Sequence, residues 1–487
     1  MSRVLFGLET EYGFTVEGHG PAEQIEDAVA FVRCADQDCW VGWDYSHETP
    51  RADLRGFSVN RLQQDPLDAK FDAGRGAWSD QDIRSDRVLW NGARFYNDHG
   101  HPEYSTPECW SLDTLAAAEA EGDGFVLATA RKFESHIGRR VKVYKNNSDG
   151  HGASFGTHEN YLVPRSIGFD LLYSALVPIL VARTVVCGAG KCGSEAGAPC
   201  NYQLSQRADF MVSRASVDTL FSRPVFNTRD ESHSDPRSWI RLHVICGDAN
   251  RIPVATLRKF AFVRLGIWLA LAGECPKWPL SDPPASMKAV SRDLSAKGEI
   301  GLEGHKWTTT FEILSSYVEH GERILDPSLP DMCETLAVCR TALEDLEAVV
   351  VCKPGAGRTI DWMVKKTMLE GVMQQAGLTW DSPEIASYAL AYHDLDPNES
   401  LYTGLVDTGF VDRIEPPLPE SSTARTRSMA REVAVRKFPH ELTGVSWGRL
   451  AFGDRGSVDL RPEIVYPDEL SECQSVEEFI NMIEALK

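Results

Sequence analysis

The feature that most constrains this chain is a short segment, residues 94–98, in which three polar side chains recur at every second position. Arg94, Tyr96 and Asp98 alternate with Phe95 and Asn97. Because side chains alternate across a strand, a strand here places a guanidinium, a phenol and a carboxylate on one face. Burying that set is costly unless the groups pair with each other, a metal or a ligand. A solvated edge strand with an Arg–Asp pair is the alternative.

The first predicted strand repeats this pattern with two acids. Glu9 and Glu11 fall on one face of the segment that reads LETEYG, and Glu103 follows shortly after the turn beyond Asp98. Two carboxylates on one strand face repel each other, and a hard cation relieves that repulsion. Mg²⁺ prefers carboxylate oxygens and takes water or phosphate oxygens as its remaining ligands. The pattern therefore predicts a Mg²⁺–nucleotide site built from strands.

Two later segments add polar groups to predicted strands. Residues 156–162 carry His158 and Glu159 on opposite faces, and residues 241–245 place Arg241 and His243 on one face. A role in the site is the favoured interpretation. The alternative is a hydrogen-bonded core histidine with a surface glutamate.

Composition sets the class of protein. Fifty basic against seventy-one acidic residues in 487 give a formal charge of −21, which argues against nucleic acid as the main partner. The length predicts two or three domains, or one large enzyme fold with an appendage. Twelve cysteines form no C-x-x-C pair, so reduced, mostly buried thiols are expected rather than a zinc site.

No membrane segment or export signal is predicted. The apolar runs at 171–182 and 260–272 are too short to span a bilayer and are expected to be core helices. The N-terminus lacks the apolar run of a signal peptide, so we expect a cytoplasmic protein.

The chain order predicts one large unit and one small one. Residues 43–86 show little periodicity and are interpreted as a lid-like insertion. A helix is expected from Ser111 to about Ile137, and residues 252–380 are expected to be mostly helical. The proline-rich stretch 415–422 is a linker by composition. The predicted domains are therefore residues 1–414 and 424–487.

Three stretches, GLETEYGF, NGARFYNDHGHPEYSTPE and YKNNSDGHGASFGTHENYL, resemble the Pup ligase and Pup deamidase/depupylase family. The stretches NTRDESHSD and RLHVICGDAN add to the resemblance, which runs from about residue 3 to Trp447. It implies an α+β fold in which a glutamine-synthetase-like antiparallel sheet packs against helices, with a small C-terminal domain. The insertion that begins WDYSHETPRADLRGF resembles the loop of the deamidase branch.

The resemblance also implies roles for individual residues. The implied Mg²⁺ ligands are Glu9, Glu11, Tyr96, Glu103, His158 and His243. The implied nucleotide contacts are Arg94, Thr106, Arg241 and Trp447, of which Trp447 packs on the adenine. Asp98 is the implied catalytic residue, either as nucleophile or as the base that activates water.

The implied activity is ATP- and Mg²⁺-dependent hydrolysis, with ATP or ADP plus phosphate completing the site. The expected substrates are the C-terminal glutamine of a Pup-like modifier and its isopeptide bond to a protein lysine. Three alternatives remain: a ligase that forms this bond, a small-molecule carboxylate–amine ligase, and a non-catalytic modifier-binding protein. Because Pup-like modifiers are acidic, we also expect a local basic docking groove among the arginines at 205–241.

Overall fold

The computed structural model describes residues 3–36, 39–63, 79–413 and 425–487. The strands in these ranges are β1 Leu5–Glu11, β2 Gly13–Val16, β3 Cys39–Val41, β4 Arg87–Leu89, β5 Arg94–Asp98, β6 His101–Ser105, β7 Val141–Tyr144, β8 Thr157–Pro164, β9 Lys191–Cys192, β10 Tyr202–Gln203, β11 Ser213–Ser216, β12 Pro224–Asn227, β13 Trp239–Val244, β14 Glu299–Leu302, β15 Lys306–Thr309, β16 Gly444–Ser446, β17 Arg449–Ala451 and β18 Ser457–Asp459. The α-helices are Gln24–Arg33, Asp80–Arg84, Leu112–Ile137, Phe169–Ala182, Thr184–Cys187, Pro253–Ala272, Pro283–Arg292, Thr310–Ile324, Pro330–Val350, Asp361–Ala376, Pro383–Ala391, Leu401–Asp407, Arg427–Lys437 and Val476–Ala485.

The central element is a seven-stranded sheet with the order β13-β8-β1-β6-β5-β4-β3. Every neighbouring pair in it is antiparallel. With the surrounding helices this confirms the predicted α+β class. The predicted strand at 94–98 and the predicted helix that begins after Ser111 are confirmed, and the Ser111 side chain caps that helix by accepting from the Thr114 amide.

The two faces of the sheet differ in character. On one face, Phe6 and Tyr161 pack on Phe260 of the Pro253–Ala272 helix, with ring centroids 5.4 and 5.2 Å apart. The Phe169–Ala182 helix joins the same apolar core. The other face carries the acids and histidines of the predicted site. Burial of the first face therefore fixes which residues the second face presents.

A tight hairpin turn joins β5 to β6. His99 and Gly100 adopt φ of 46° and 89°, and Asp98 pairs with His101 across the turn. Two successive residues with positive φ are typical of the turn that matches the twist of antiparallel strands. This hairpin brings Tyr96 directly opposite Glu103.

The C-terminal residues form their own core around the three-stranded sheet β16-β17-β18 and two helices. Trp43 and Val88, which belong to the large N-terminal unit, also pack into that core. Arg431 fixes the unit to the large sheet region, because it binds the Glu108 carboxylate and donates to the carbonyl of Gly92 at 3.0 Å. The predicted domain boundary and linker at 414–424 lie outside the described residues.

One expectation about this architecture holds and one needs correction. The core helix expected at 171–182 is the Phe169–Ala182 helix, and the short Thr184–Cys187 helix follows it after Arg183. Residues 299–309 form a β-hairpin inside the stretch expected to be mostly helical. The described part of the predicted lid is anchored, since Leu54 donates to Thr228 and Asp44 to Val445, both at 2.8 Å. Residues 64–78 of that lid lie outside the described residues.

All twelve cysteines are free thiols, as expected from their spacing. Among the described helices, none has the length and the uninterrupted apolar character that crossing a lipid bilayer requires.

Candidate functional site

The polar face of the sheet gathers six candidate metal ligands into two groups. In each group the ligand atoms lie within 4.8 Å of one another; the groups are Glu9, His158 and His243, and Glu11, Asp98 and Glu103. Strand order explains the grouping, because β1 lies between β8 and β6. Glu9 pairs with His158 on one side of β1, and Glu11 pairs with Glu103 on the other.

The first group combines one carboxylate with two imidazoles. His158 Nδ1 lies 3.2 Å from Glu9, and His243 Nε2 lies 3.7 Å from the same oxygen, too far for a hydrogen bond. Burial would raise the pKa of Glu9, but the two histidines outweigh it and hold that pKa well below its ordinary value. Burial and nearby Arg241 hold the pKa of His243 well below its usual range. A neutral imidazole beside an ionised carboxylate is a set that binds metal ions.

Both ring nitrogens of His243 are buried and lack a hydrogen-bond partner among the described residues. Buried polar atoms without partners are uncommon in proteins, and a ligand is one explanation. This favours occupancy of the group by a cation.

The second group consists of three carboxylates whose pKa values are shifted in different directions. Burial and repulsion from Asp98 raise the pKa of Glu11 to about 8. Burial and repulsion from Glu9 and Asp98 hold the pKa of Glu103 well above its ordinary value. Burial would also raise the pKa of Asp98, but His99 and Arg84 outweigh it and lower the pKa. Asp98 is therefore the ionised member of the group.

Close packing fixes the second group in place. A Cβ at Gly156 would lie 2.1 Å from His158 Nε2 and 2.7 Å from Glu11 Oε1, so no larger residue fits there. Tyr96 donates to Glu103 at 2.5 Å. Burial and the Glu103 charge hold the pKa of Tyr96 well above its usual range, so its phenol is a proton donor to Glu103 in this arrangement.

A cavity of about 70 Å³ lies on the same face, toward β8 and β13. The predicted residues Glu9, Thr106, Arg241 and Trp447 line it. Thr106 accepts a hydrogen bond from the Leu8 amide at 3.0 Å, which fixes its hydroxyl at the cavity wall. Beyond Trp447 the space widens into a groove of about 810 Å³ between the described insertion residues and the C-terminal unit.

Arg94 occupies a different environment from the one expected of a nucleotide contact. Its guanidinium lies between the rings of Trp43 and Tyr96, 4.2 and 4.0 Å from their centroids. It also donates to Asp86 at 2.6 Å and to Tyr45 at 2.8 Å. Arg94 does not line either cavity, and its contacts link the insertion to β5.

Sequence reasoning did not assign roles to several residues that the fold brings to this site. They are Arg84, Glu108, Glu231, His233 and Arg427. Glu108, Glu231 and His233 lie in stretches that resemble the family, which was the one available signal. Arg84 follows a segment without periodicity and Arg427 begins the Arg427–Lys437 helix, so only the fold reveals these two.

The predicted basic docking groove is wrong as placed. Of the arginines between 205 and 241, Arg207, Arg223 and Arg241 are buried, and Arg229 is partly buried. Arg214 and Arg237 are exposed, and Arg237 pairs with Asp235 at 3.0 Å. Because most of these arginines lie inside the fold, the set does not form an exposed basic surface.

Two groups of side chains that could hold a metal ion lie beside a cavity on one face of the sheet, an arrangement typical of an enzyme active site. The Pup-ligase protein family matches residues 4–451 of the chain. The chain belongs to this family, as its sequence motifs predicted.

Individual relatives match over nearly the whole chain. A depupylase from Acidothermus cellulolyticus is 33% identical over 478 residues, which cover 93% of this chain and 91% of the relative. A Pup deamidase/depupylase from Mycolicibacterium smegmatis is 31% identical over 508 residues, which cover 100% of both chains.

Solved structures agree with the fold. The complex of the prokaryotic ubiquitin-like protein Pup with its ligase PafA superposes with a TM-score of 0.76 at 27% identity and covers 99% of this chain and 92% of that chain. The Pup ligase PafA in complex with ADP gives a TM-score of 0.70 at 28% identity and covers 88% of this chain and 95% of that chain. The predicted glutamine-synthetase-like α+β architecture is that of this family.

Proposed function

We propose that this protein is a Pup deamidase/depupylase. It hydrolyses the side-chain amide of a C-terminal glutamine on a Pup-like modifier, and the isopeptide bond that joins the modifier to a protein lysine. Similarity over the full length to proteins named as deamidases or depupylases supports this activity. The observation that carries the proposal is the position of the Asp98 carboxylate at the end of β5, where it lies within 4.8 Å of the carboxylate oxygens of Glu11 and Glu103.

The residues fit Mg²⁺ and a nucleotide. Glu11, Glu103 and Asp98 would hold a cation at one group, and Glu9, His158 and His243 at the other. Tyr96, predicted as a ligand, would orient Glu103 through its hydrogen bond. A bound divalent cation would offset the repulsion among the carboxylates and polarise an oxygen of the substrate or nucleotide.

The cavity, together with the groove that continues from it beyond Trp447, suits ATP or ADP with retained phosphate. Trp447 provides an aromatic wall for the adenine, and Arg241 and Thr106 lie at the sheet surface where phosphate oxygens would lie. The solved structure of a relative in complex with ADP supports nucleotide binding. Since the site is proposed to hold ATP, we propose that the protein acts in the cytoplasm.

The chain's own contribution to the chemistry comes from Asp98. An ionised carboxylate can remove a proton from water or attack the carbonyl carbon directly. When water is the nucleophile, its oxygen enters the new carboxylate, its proton passes by way of Asp98 to the nitrogen, and the C–N bond breaks. When Asp98 is the nucleophile, a protonated acid of the same group gives its proton to the nitrogen, the C–N bond breaks, and the resulting anhydride with Asp98 is hydrolysed by water to two carboxylates. The nitrogen leaves with the transferred proton, as ammonia from glutamine or as the ε-amino group of lysine.

Substitution of Asp98 tests the assignment. Asp98→Asn keeps the shape but removes the charge, so we expect turnover to fall by about 10³-fold or more with nucleotide binding retained. Turnover is followed by mass spectrometry of a Pup-like tail ending in glutamine, incubated with Mg²⁺ and ATP. Asp113→Asn, an exposed change at a helix start, is the matched control. Full turnover by Asp98→Asn would show that another group does the chemistry.

The second candidate is a Pup ligase, because the solved relatives at 27% and 28% identity are PafA ligases. A ligase consumes one ATP for each bond that it forms, whereas amide hydrolysis has no stoichiometric need for it. Quantifying ADP in the same reaction separates the two. A mass gain of about 1 Da in the tail without matching ADP supports the deamidase, since hydrolysis replaces NH₂ by OH.

A further inference from the structure

The proposed hydrolysis needs a hydrogen-bond donor near Asp98. Negative charge develops on the carbonyl oxygen as the carbonyl carbon is attacked, and a donor aimed at that oxygen stabilises the transition state. Arg94 and Arg241 are the two arginines that the family resemblance implies as site residues. The structure places neither of them where it could donate to a carbonyl oxygen beside Asp98.

Arg94 has already used its donors. Its Nε and Nη2 bind Asp86 at 2.9 and 2.6 Å, and Nη2 also reaches Tyr45. Its side chain is only 6% exposed. To reach Arg94, a substrate oxygen would have to displace a buried ion pair. The free-energy cost of that displacement makes Arg94 unsuited to be the catalytic donor.

Arg241 lies at the far end of the sheet. It is on β13, four strands from Asp98 on β5 in the order β13-β8-β1-β6-β5. At about 4.8 Å per strand the two backbones are roughly 19 Å apart. Arg241 donates to Asn160 at 2.9 Å and approaches Glu9 and Glu231 at 3.4 Å, which holds it at the nucleotide end.

Arg84, unlike Arg94 and Arg241, lies beside Asp98 and is partly exposed. Its Nη1 lies 3.5 Å from Asp98 Oδ1, and its side chain is 36% exposed. The guanidinium rests over the rings of Tyr45 and Tyr96, with centroids at 5.4 and 5.9 Å. A guanidinium has five N–H donors, so a contact with one carboxylate oxygen leaves others for a ligand.

The fold holds Arg84 firmly beside β5. The short helix Asp80–Arg84 is fixed to that strand because Asn97 donates to the Ile83 carbonyl at 3.0 Å. Arg33 holds the same helix from the outside, where it donates to Ser85 at 3.0 Å and to the Asp82 carbonyl at 3.1 Å. Arg84 is thus placed in advance, as a preorganised donor must be.

We propose that Arg84 is a catalytic residue that donates to the carbonyl oxygen of the amide attacked beside Asp98. This inference rests on the proposed function, because it takes the substrate to be an amide. The donor makes no new covalent bond, and its contact with the oxygen strengthens as charge moves there.

Steady-state kinetics of Arg84→Gln and Arg84→Lys test the inference on the glutamine-ending tail with Mg²⁺ and ATP. We expect kcat of Arg84→Gln to fall by about 10²-fold, in the range measured for loss of one oxyanion donor. The KM for the tail is expected to stay within about threefold, because the donor acts in the transition state. Arg84→Lys keeps a charged donor and is expected to recover at least about tenfold of kcat over Arg84→Gln.

Arg33→Gln is the matched control, since it loosens the same helix without touching Asp98. An equal loss of kcat in Arg33→Gln, or equal kcat in Arg84→Gln and Arg84→Lys, would assign Arg84 a structural role and overturn the inference. A raised KM with unchanged kcat would also overturn it. If wild-type protein hydrolyses the tail and Arg84→Gln matches it, the inference alone fails. If wild-type protein hydrolyses neither the tail nor a lysine conjugate, the proposed function fails and the inference with it.

Discussion

Buried acids on the two faces of the central sheet have different charged neighbours. Glu159 on β8 points to the helical side, where Arg183 binds both of its oxygens at 2.7 and 2.6 Å. One residue earlier, His158 points to the polar side, among acids that lie close to each other. Burial would raise the pKa of Glu159, but Arg183 lowers it, whereas burial and neighbouring acids raise the pKa of Glu11 and Glu103.

The difference separates structural charge from functional charge. A buried carboxylate with a bidentate arginine is satisfied within the chain and needs nothing further. Three carboxylates that share one arginine contact, the Arg84 Nη1 that lies 3.5 Å from Asp98, are satisfied only in part and need protonation or a ligand as well. The polar face is therefore the face on which a cation or substrate is expected to act.

Breaking the pair on the helical face should give the largest effect on stability. Arg183→Met leaves Glu159 buried and unpaired, so the free energy of unfolding is expected to fall by about 3 to 5 kcal/mol. Urea denaturation measures the change. The double variant Arg183→Met/Glu159→Met removes both charges and should recover much of the loss. A small loss in the single variant would mean that water or Lys259 satisfies Glu159.

The same kind of change on the polar face should spare folding and weaken metal binding. Burial and neighbouring acids hold the pKa of Glu103 well above its ordinary value, so the neutral substitution Glu103→Gln is expected to change the free energy of unfolding of metal-free protein by about 0.5 kcal/mol or less. The rise in Tm on adding Mg²⁺, which reports binding to the folded state, should shrink by an amount equivalent to about tenfold weaker binding. Thermal scans with EDTA and with Mg²⁺ measure both. Destabilisation as large as that of Arg183→Met would show that Glu103 is structural.

Lys365 offers a third arrangement, a buried cation that binds a histidine and a carbonyl. Its Nζ lies 2.8 Å from both His393 Nε2 and the Gly190 carbonyl oxygen, and burial lowers its pKa to about 8. The unfolded chain holds this proton up to about pH 10.4, so stability should rise between about pH 8 and 10.4. The contribution is at most about 1.4 kcal/mol per pH unit.

Comparison with Lys365→Met isolates that contribution. The variant lacks the charge, so its stability advantage over wild type should be largest near pH 7 and should shrink as the pH approaches 10. Urea denaturation at several pH values measures the difference. A constant difference across this range would mean that Lys365 is not desolvated as the structure indicates.

Much of the site could be predicted from local pattern. Alternation alone placed Arg94, Tyr96 and Asp98 on one face, and it paired Glu9 with Glu11. Family resemblance added Thr106 and Trp447, which line the cavity. The individual roles of these residues remain predictions.

Other features were beyond local pattern. A role in the site was favoured for Glu159 and a surface position was the alternative. That alternative is wrong, because Glu159 is buried and its partner Arg183 lies 24 positions away on another element. Arg94 was expected to contact the nucleotide, yet Trp43 and Asp86 surround it. Arg84 gave no signal, since it follows a stretch with no periodicity. Each case depends on a contact between segments that the sequence does not pair.

The sequence by itself determined which side chains share a strand face, because the period of two is a property of the extended backbone. It also determined the family, through motifs along most of the chain. Only the tertiary structure decided that β1 lies between β6 and β8, and so which acids meet. Strand order depends on contacts between residues distant in sequence and on burial of the opposite face. These interactions contribute to stability only once the whole sheet has formed.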